Sequence, residues 1–250
     1  MTKAFWTLLR RELGALLFSP IACVVFTLFS LVTAYWFLSA VDIMSHGIYN
    51  LTVMQLFFRM FFFWFCLVVM IPLLTMRLFA EEYKTGTIEL LMTAPVTDWD
   101  VILSKFFGAL LFYLLLWSHT LLYLWIYQVL TGYANPVEWG ALGLSYGMVL
   151  LLGSFFTAIG IFTSSLSKNQ VVAAFAAFAA ISLYFFCGFL AFMRVGENLQ
   201  QGIQYISALR HMEVYVSGIF DTRPLVLYSS GTVLFLFLTY VVLSVRRLRN

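Results

Sequence analysis

Residues 171–193 read VVAAFAAFAAISLYFFCGFLAFM, twenty-three positions without a single charge, bounded by Lys168 and Arg194. At 1.5 Å of rise per residue a helix of this length spans about 35 Å, enough to cross a hydrocarbon core of about 30 Å. Working outward, five further apolar runs of similar length occupy residues 20–40, 57–76, 106–130, 141–163 and 225–245. Of all residues 63% are hydrophobic and 10% charged, with a mean hydropathy of +0.96. Soluble domains carry about 45–50% apolar and about 25% charged residues, so most of this chain must be solvated by lipid. Backbone groups in lipid need internal partners, which leaves helices or a closed barrel. The runs are continuous and do not alternate over about 10 residues, which excludes a barrel. The expected fold is an all-α polytopic membrane domain over residues 1–250 with six transmembrane helices.

Lys and Arg set the orientation. With six spans both termini share a side, and that side holds Lys3, Arg10, Arg11, Arg77, Lys84, Lys105, Lys168, Arg246, Arg247 and Arg249. Arg59, Arg194, Arg210 and Arg223 fall on the other, a split of 10 against 4 that makes both termini cytoplasmic by the positive-inside rule. A net charge of +3 is too small to indicate a nucleic-acid partner. Cys23, Cys66 and Cys187 lie inside apolar runs without CxxC spacing, so neither a metal nor a disulfide framework is indicated.

Three segments are neither spans nor simple loops. In residues 3–18, Phe5, Leu8, Leu9, Leu13 and Leu16 share one helical face and Lys3, Thr7, Arg10 and Arg11 the other. This predicts a helix lying in the cytoplasmic interface, although Glu12 falls on its apolar arc. Residues 196–223 repeat Leu199, Ile203, Ile206, Leu209, Met212, Val216 and Ile219 at helical spacing between polar residues, which predicts amphipathic helices at the outer surface. The third segment, residues 77–105, reads RLFAEEYKTGTIELLMTAPVTDWDVILSK. Gly86 and Pro95 punctuate it, and Thr97 with Asp100 forms a capping box that should start the third span's helix near Thr97. Glu81, Glu82, Glu89, Asp98 and Asp100 face one internal base, Lys84. An acidic surface beside a membrane suits a basic protein partner, and Ile88, Leu90, Leu91 and Met92 offer an apolar side to seat in a groove. A solvated turn that merely joins two helices would explain the same composition.

The run EEYKTGTIELLMTAPVTDWDVILSKF resembles the loop of ABC-2-type permeases, with Glu81, Glu82, Gly86, Thr87, Glu89, Leu90, Leu91, Thr93, Pro95 and Val96 at the motif positions. SSLSKNQ (residues 164–170) and HMEVYVSGIFDTRPLVLYSS before the last span extend the likeness, the latter toward the gliding-motility-associated branch of that family. The resemblance implies a transmembrane permease, most simply an exporter, in the cytoplasmic (inner) membrane of a bacterium. It implies a dimer, of two copies or of this chain with a related permease, capped by separate ABC ATPase subunits that bind ATP and Mg. It further implies that the amino-terminal helix, with Arg10 and Arg11, and the Glu82–Pro95 loop receive the ATPase stroke. An accessory membrane-anchored protein with a large external domain often accompanies that branch.

No GxxxxGK[ST] phosphate loop occurs in the chain, so an ATP-driven reading requires a second polypeptide. Two other classes compete. A membrane scaffold using the same loop to drive an external partner would bind it along residues 199–220. An intramembrane serine hydrolase would use Ser145, in the GxSxG-like GLSYG of residues 143–147, with His119 at a comparable depth. The GxSxG motif belongs on a strand–turn–helix elbow, however, and Gly143 with Gly147 also forms a GxxxG pair suited to close helix packing. His119 is a candidate translocation or packing residue, since intramembrane ionisable groups usually face a bundle interior. The alanine face of the fifth run (Ala173, Ala176, Ala177, Ala180) permits close helix approach, with subunit contact one use. Secondary transport would want more mid-span charges or helices interrupted at matching places, and neither stands out.

Overall fold

The computed structural model describes residues 3–46, 51–88, 96–132, 138–190 and 197–249. Among these the chain is helical without strands. The helices are α1 (Lys3–Leu17), α2 (Pro20–Ser45), α3 (Val53–Arg59), α4 (Phe61–Thr75), α5 (Ala80–Thr85), α6 (Asp98–Ser118), α7 (Thr120–Leu130), α8 (Trp139–Leu166), α9 (Gln170–Phe189), α10 (Glu197–Ile206), α11 (Ala208–Val216) and α12 (Thr222–Arg249). Six stretches are long and apolar enough to cross a membrane: Pro20–Ser45, Phe61–Thr85, Asp98–Leu130, Trp139–Leu166, Gln170–Phe189 and Thr222–Arg247.

Burial sorts these six into a centre and a rim. The most apolar windows of α8, α6–α7 and α4 are 72%, 67% and 61% buried, whereas those of α2, α9 and α12 are 28%, 28% and 22% buried. The rim helices expose Leu28, Leu31, Leu38, Phe175, Leu183, Phe186, Val233 and Phe237, apolar side chains that only lipid or another apolar surface can solvate. Helix α8 touches α4, α6, α9, α11 and α12, and is the axis of the bundle.

Small residues let helices close on α8, though not where the GxxxG pair suggests. A Cβ at Gly153 would run into the ring of Tyr113, and one at Gly160 into Thr75. Gly143 and Gly147 have nothing within 4 Å of such a Cβ among the described residues, so no described helix closes on them. On α9, Ala173 and Ala177 are fully buried within the chain itself.

Met60 adopts an extended backbone (φ −76, ψ 151) between α3 and α4, so the second crossing begins at Phe61 and not at residue 57 as expected. The third span breaks at His119, where the side chains of Thr120 and His119 turn back onto the carbonyls of Trp117 and Leu116. Thr120 also meets Tyr146 of α8 at 2.6 Å. These polar side chains supply partners for backbone groups that a broken helix leaves open in an apolar setting.

Helix starts follow local chemistry. Thr97 accepts from the Asp100 amide at 3.1 Å and Asp100 from the Thr97 amide at 3.4 Å, the reciprocal box that begins α6. Ser207 starts α11 and donates to the Gly188 carbonyl at 2.9 Å, pinning α11 to the end of α9. We call the end of the bundle that carries α1, α5 and the last turn of α12 the terminal end, and the end that carries α3, α10 and α11 the far end.

Candidate functional site

Helix α1 lies along α6. Phe5, Leu9 and Glu12, one face at i, i+4 and i+7, are all buried against it, and Phe5 meets Phe107 edge-on at 6.2 Å. Gly108 makes the approach possible, because a Cβ there would lie 3.2 Å from that of Glu12. Glu12 is thus no flaw in the apolar arc of α1 but its deepest polar contact.

That contact is a buried charge cluster. Lys105, one turn before Gly108, has a side chain only 2% exposed, and its Nζ donates to Glu82 Oε1 at 2.8 Å and to Glu12 Oε1 at 3.2 Å. Arg11 reaches the same two carboxylates, Glu12 at 2.8 Å and Glu82 at 3.3 Å. Two cations and two carboxylates balance; Lys105, Glu12 and Glu82 are shielded and each has a partner of opposite sign, as burial demands, while Arg11 closes the cluster from its solvent side. Burial alone would lower the Arg11 pKa, but Glu12 and Glu82 outweigh it and raise it, so the guanidinium stays charged. Three elements meet here: α1 through Arg11 and Glu12, α5 through Glu82, and α6 through Lys105.

The corner that aims α5 at the cluster is held from α8. Ser164 Oγ accepts from the amides of Phe79 and Ala80 at 3.1 and 3.2 Å and donates to the Met76 carbonyl at 3.1 Å. It satisfies the backbone where α4 ends and α5 begins. Gly86 closes α5 in the left-handed region (φ +73), where a side chain would be strained. The last turn of α12 completes the terminal end. Arg246 lies over the Tyr83 ring at 4.4 Å and donates to the Leu166 carbonyl at 3.0 Å. Arg247 pairs with Asp98 at 3.0 Å, and Tyr240 stacks on Trp99 at 5.0 Å.

Of the residues singled out in the sequence, Glu82 and Arg11 are brought together. Arg10, Glu81, Gly86 and Thr87 are exposed beside them, with Thr87 bonded to Thr85 at 2.9 Å. Glu89, Leu90, Leu91, Thr93 and Pro95 lie outside the described residues, as does Arg194. Arg59 pairs with Glu213 of α11 at 3.4 Å, so its charge is held by protein. His119 sits elsewhere, half-buried between Phe26 and Phe29 of α2 with Nε2 3.5 Å from Thr33 Oγ1. Ser145 does not meet it: its hydroxyl donates to the Ala141 carbonyl of its own helix at 2.7 Å, and His119 faces α2. That geometry provides no base for a nucleophile, and the hydrolase reading ends there.

Sequence reasoning missed Lys105, Glu12, Ser164 and Arg246. A signal was present for Glu12 alone, a charge on the apolar arc of its helix; Lys105 read as the last base of the segment before the third span. At the far end it also missed His211, buried on α11, where the Tyr228 hydroxyl lies 3.0 Å from Nδ1. Burial pushes its pKa down to about 4, so the ring is neutral.

Residues 33–246 match the family described as ABC-2 family transporter protein, a stretch that takes in the second half of α2 and the other five candidate spans. No curated protein matches the chain.

Proposed function

The chain belongs to the ABC-2 transporter family and is therefore a multi-pass membrane permease subunit, and from that premise we propose that its terminal end is the receiver of a stroke from a separate ABC ATPase. The observation that carries this reading is the buried cluster of Glu82, Lys105, Glu12 and Arg11. It ties the loop helix α5 to α1 and to a central span by short ionic contacts. A push on α5 or on the exposed residues around it, Arg10, Glu81 and Thr87, is passed to α6 without any flexible linker.

On this reading the terminal end is cytoplasmic, in agreement with the positive-inside count. The partner binds ATP and Mg, and differential binding of ATP to two arrangements of the assembly supplies the work. This chain performs no chemistry. Its spans rearrange against a second permease copy or a relative, and the substrate is exported across a bacterial inner membrane. The likeness of residues 211–230 supports the gliding-motility-associated branch, with an accessory protein whose large domain sits at the far end. The single-domain division, with residues 77–105 as the coupling loop, belongs to the same proposal.

Mild-detergent purification of the tagged chain from its native membrane tests it, with co-purifying proteins identified by mass. The native chain should bring down a nucleotide-binding ATPase. Arg10→Glu combined with Glu81→Lys, both exposed and outside the buried cluster, should lose it while keeping a monodisperse permease. Retention of the ATPase by that variant would remove this surface from the docking site.

A further inference from the structure

The third span is two rods in series, and they are held by different neighbours. Helix α6 is fixed to the centre of the bundle: the Tyr113 hydroxyl donates to the Val149 carbonyl of α8 at 3.0 Å, its ring fills the space left by Gly153, and Lys105 joins the buried cluster. Helix α7 buries one narrow line, Thr120, Leu124 and Gln128 at i, i+4 and i+8, and exposes Leu122, Trp125, Ile126 and Val129. Its directed contacts run to α2. The Tyr123 hydroxyl donates to the Ser30 carbonyl at 3.1 Å, and the Phe37 ring lies 5.7 Å from that of Tyr123 and 6.2 Å from that of Tyr127.

Between the rods, three successive side chains turn back on carbonyls three residues earlier: Ser118 on Leu115 at 2.8 Å, His119 on Leu116, and Thr120 on Trp117 at 2.6 Å. Carbonyls that bending would strip of backbone donors are thus supplied in advance, which removes the main cost of a joint in lipid. His119 keeps near-helical angles (φ −68, ψ −22), and the Leu122 amide donates to the His119 carbonyl at 3.0 Å. A tight i→i−3 turn inside a span is the local geometry of a hinge.

The joint also has room to move. A cavity of about 320 Å³ separates Met44, Leu124 and Tyr127 of the α2–α7 pair from Leu142 and Ser145 of α8 and Val216 of α11. The α11 side of this gap is fixed, because Ser207 pins α11 to the Gly188 carbonyl at 2.9 Å. A rod of 11 residues is about 16 Å long and about 10 Å across, so a tilt of about 13° about His119 moves its tip about 4 Å and sweeps this volume. Closing the gap restores dispersion contacts that the facing side chains forfeit while it is open.

We propose that α7 is a lid arm, hinged at residues 118–120, that tilts with α2 toward α8 to close the far-end cavity and tilts back to open it. In a permease subunit an arm in this place gates the far end while α6 stays joined to the terminal end. The hinge belongs to this chain and does not depend on the ATPase reading, because its test needs no partner.

Spin labels on Val129→Cys of α7 and Gly143→Cys of α8 read the arm, and labels on Leu115→Cys of α6 and Leu150→Cys of α8 read the fixed rod as a control. All four positions are exposed, and an added Cβ at Gly143 meets open space. The full chain, with Cys23, Cys66 and Cys187 replaced by Ala, is measured by pulsed EPR in nanodiscs. The arm's distance distribution should be broader than the control's by about 3–4 Å, the displacement that the tilt gives at residue 129. Ala141→Leu puts a larger side chain into the cavity and should narrow the arm's distribution to the control's width. If that variant fails to fold, the combination Ser118→Ala, His119→Leu and Thr120→Ala decides in its place. It removes the side-chain donors, so the freed carbonyls must take backbone amides and close the helix, with the same narrowing expected. An arm distribution no broader than the control's, or one whose width the deciding variant leaves unchanged, overturns the proposal.

Discussion

Replacing Lys105 with Met removes the cation that both buried carboxylates share. Its Nζ lies 2.8 Å from Glu82 and 3.2 Å from Glu12, on a side chain 2% exposed. Hydrogen bonds to charged groups contribute about 1.5–3 kcal/mol each. Breaking a buried pair from one side costs about 3–5 kcal/mol, because the remaining charge is left without its partner. Arg11 already touches both carboxylates and its side chain is 53% exposed, so it can swing inward and recover part of the loss. The lower end of the range, about 3 kcal/mol, is therefore expected. It falls on the docking of α1, which is held to α6 by Phe5, Leu9 and this cluster. Hydrogen exchange in detergent reads it directly: amides of α1 should lose protection by roughly a hundredfold while those of α8 keep theirs. Adding Glu12→Gln to Lys105→Met removes both charges and should restore most of the protection, since replacing both members of a buried pair is close to neutral. If α1 in Lys105→Met stays protected within about twofold of the native chain, the cluster does not hold α1 and the reasoning fails.

Ser164→Ala leaves the buried amides of Phe79 and Ala80 without their acceptor and should cost about 2 kcal/mol, seen as a lower thermal midpoint in detergent and faster exchange at residues 78–82. Gly153→Ala drives a methyl into the Tyr113 ring and should destabilise by about 1–3 kcal/mol, whereas Gly147→Ala, facing open space, should change the midpoint by no more than about 0.5 kcal/mol. His211 provides a pH dependence whose sign is fixed by burial. Its pKa falls from 6.5 to about 4 on folding, so its contribution is complete above about pH 6.5 and is lost as pH drops toward 4, on the order of 3 kcal/mol in all. Exchange at residues 208–216 should accelerate over that window in the native chain and not in His211→Asn.

The helical class and the six crossings were legible because composition and run length respond to the bilayer alone, whatever the tertiary contacts. Capping was legible at Thr97 for a similar reason, since the box is closed within four residues. The charge cluster was not, although Glu12 was visible as an outlier on its helix. The contacts that close the cluster span 71 residues (Arg11 to Glu82) and 93 residues (Glu12 to Lys105), and no periodicity within one helix can specify which distant charge completes it. The GxxxG spacing of Gly143 and Gly147 shows the opposite limit. Spacing shows which residues share a helix face but not what that face meets, and the close approaches on α8 fall instead at Gly153 and Gly160, where Tyr113 and Thr75 arrive from other spans. The break at His119 escaped because it involves neither Gly nor Pro. It persists through Thr120, Tyr146 and the His119 ring, which occupy the freed groups.

The two ends of the bundle are secured by different interactions, and the difference bears on which of them can move. At the far end α11 is held by its apolar face and by directed, mostly uncharged bonds: Ser207 to the Gly188 carbonyl at 2.9 Å, Tyr184 to the Ile206 carbonyl at 2.8 Å, and Tyr228 beside His211 at 3.0 Å. A shift of an ångström would break each of them, because such bonds weaken steeply with distance and angle. At the terminal end Lys105 and Arg11 each contact both Glu12 and Glu82, so α5 can slide past α1 while every charge retains a partner. Coulomb attraction falls only as the inverse of distance and tolerates that slide. The corner behind α5 does not share this tolerance, since Ser164 holds it by three directed bonds, to the Met76 carbonyl and the Phe79 and Ala80 amides. A force applied to α5 therefore meets a compliant contact at its front and a fixed one at its root. The motion it favours is rotation about the Met76–Ala80 corner, with Lys105 and Arg11 retaining Glu82 as it turns.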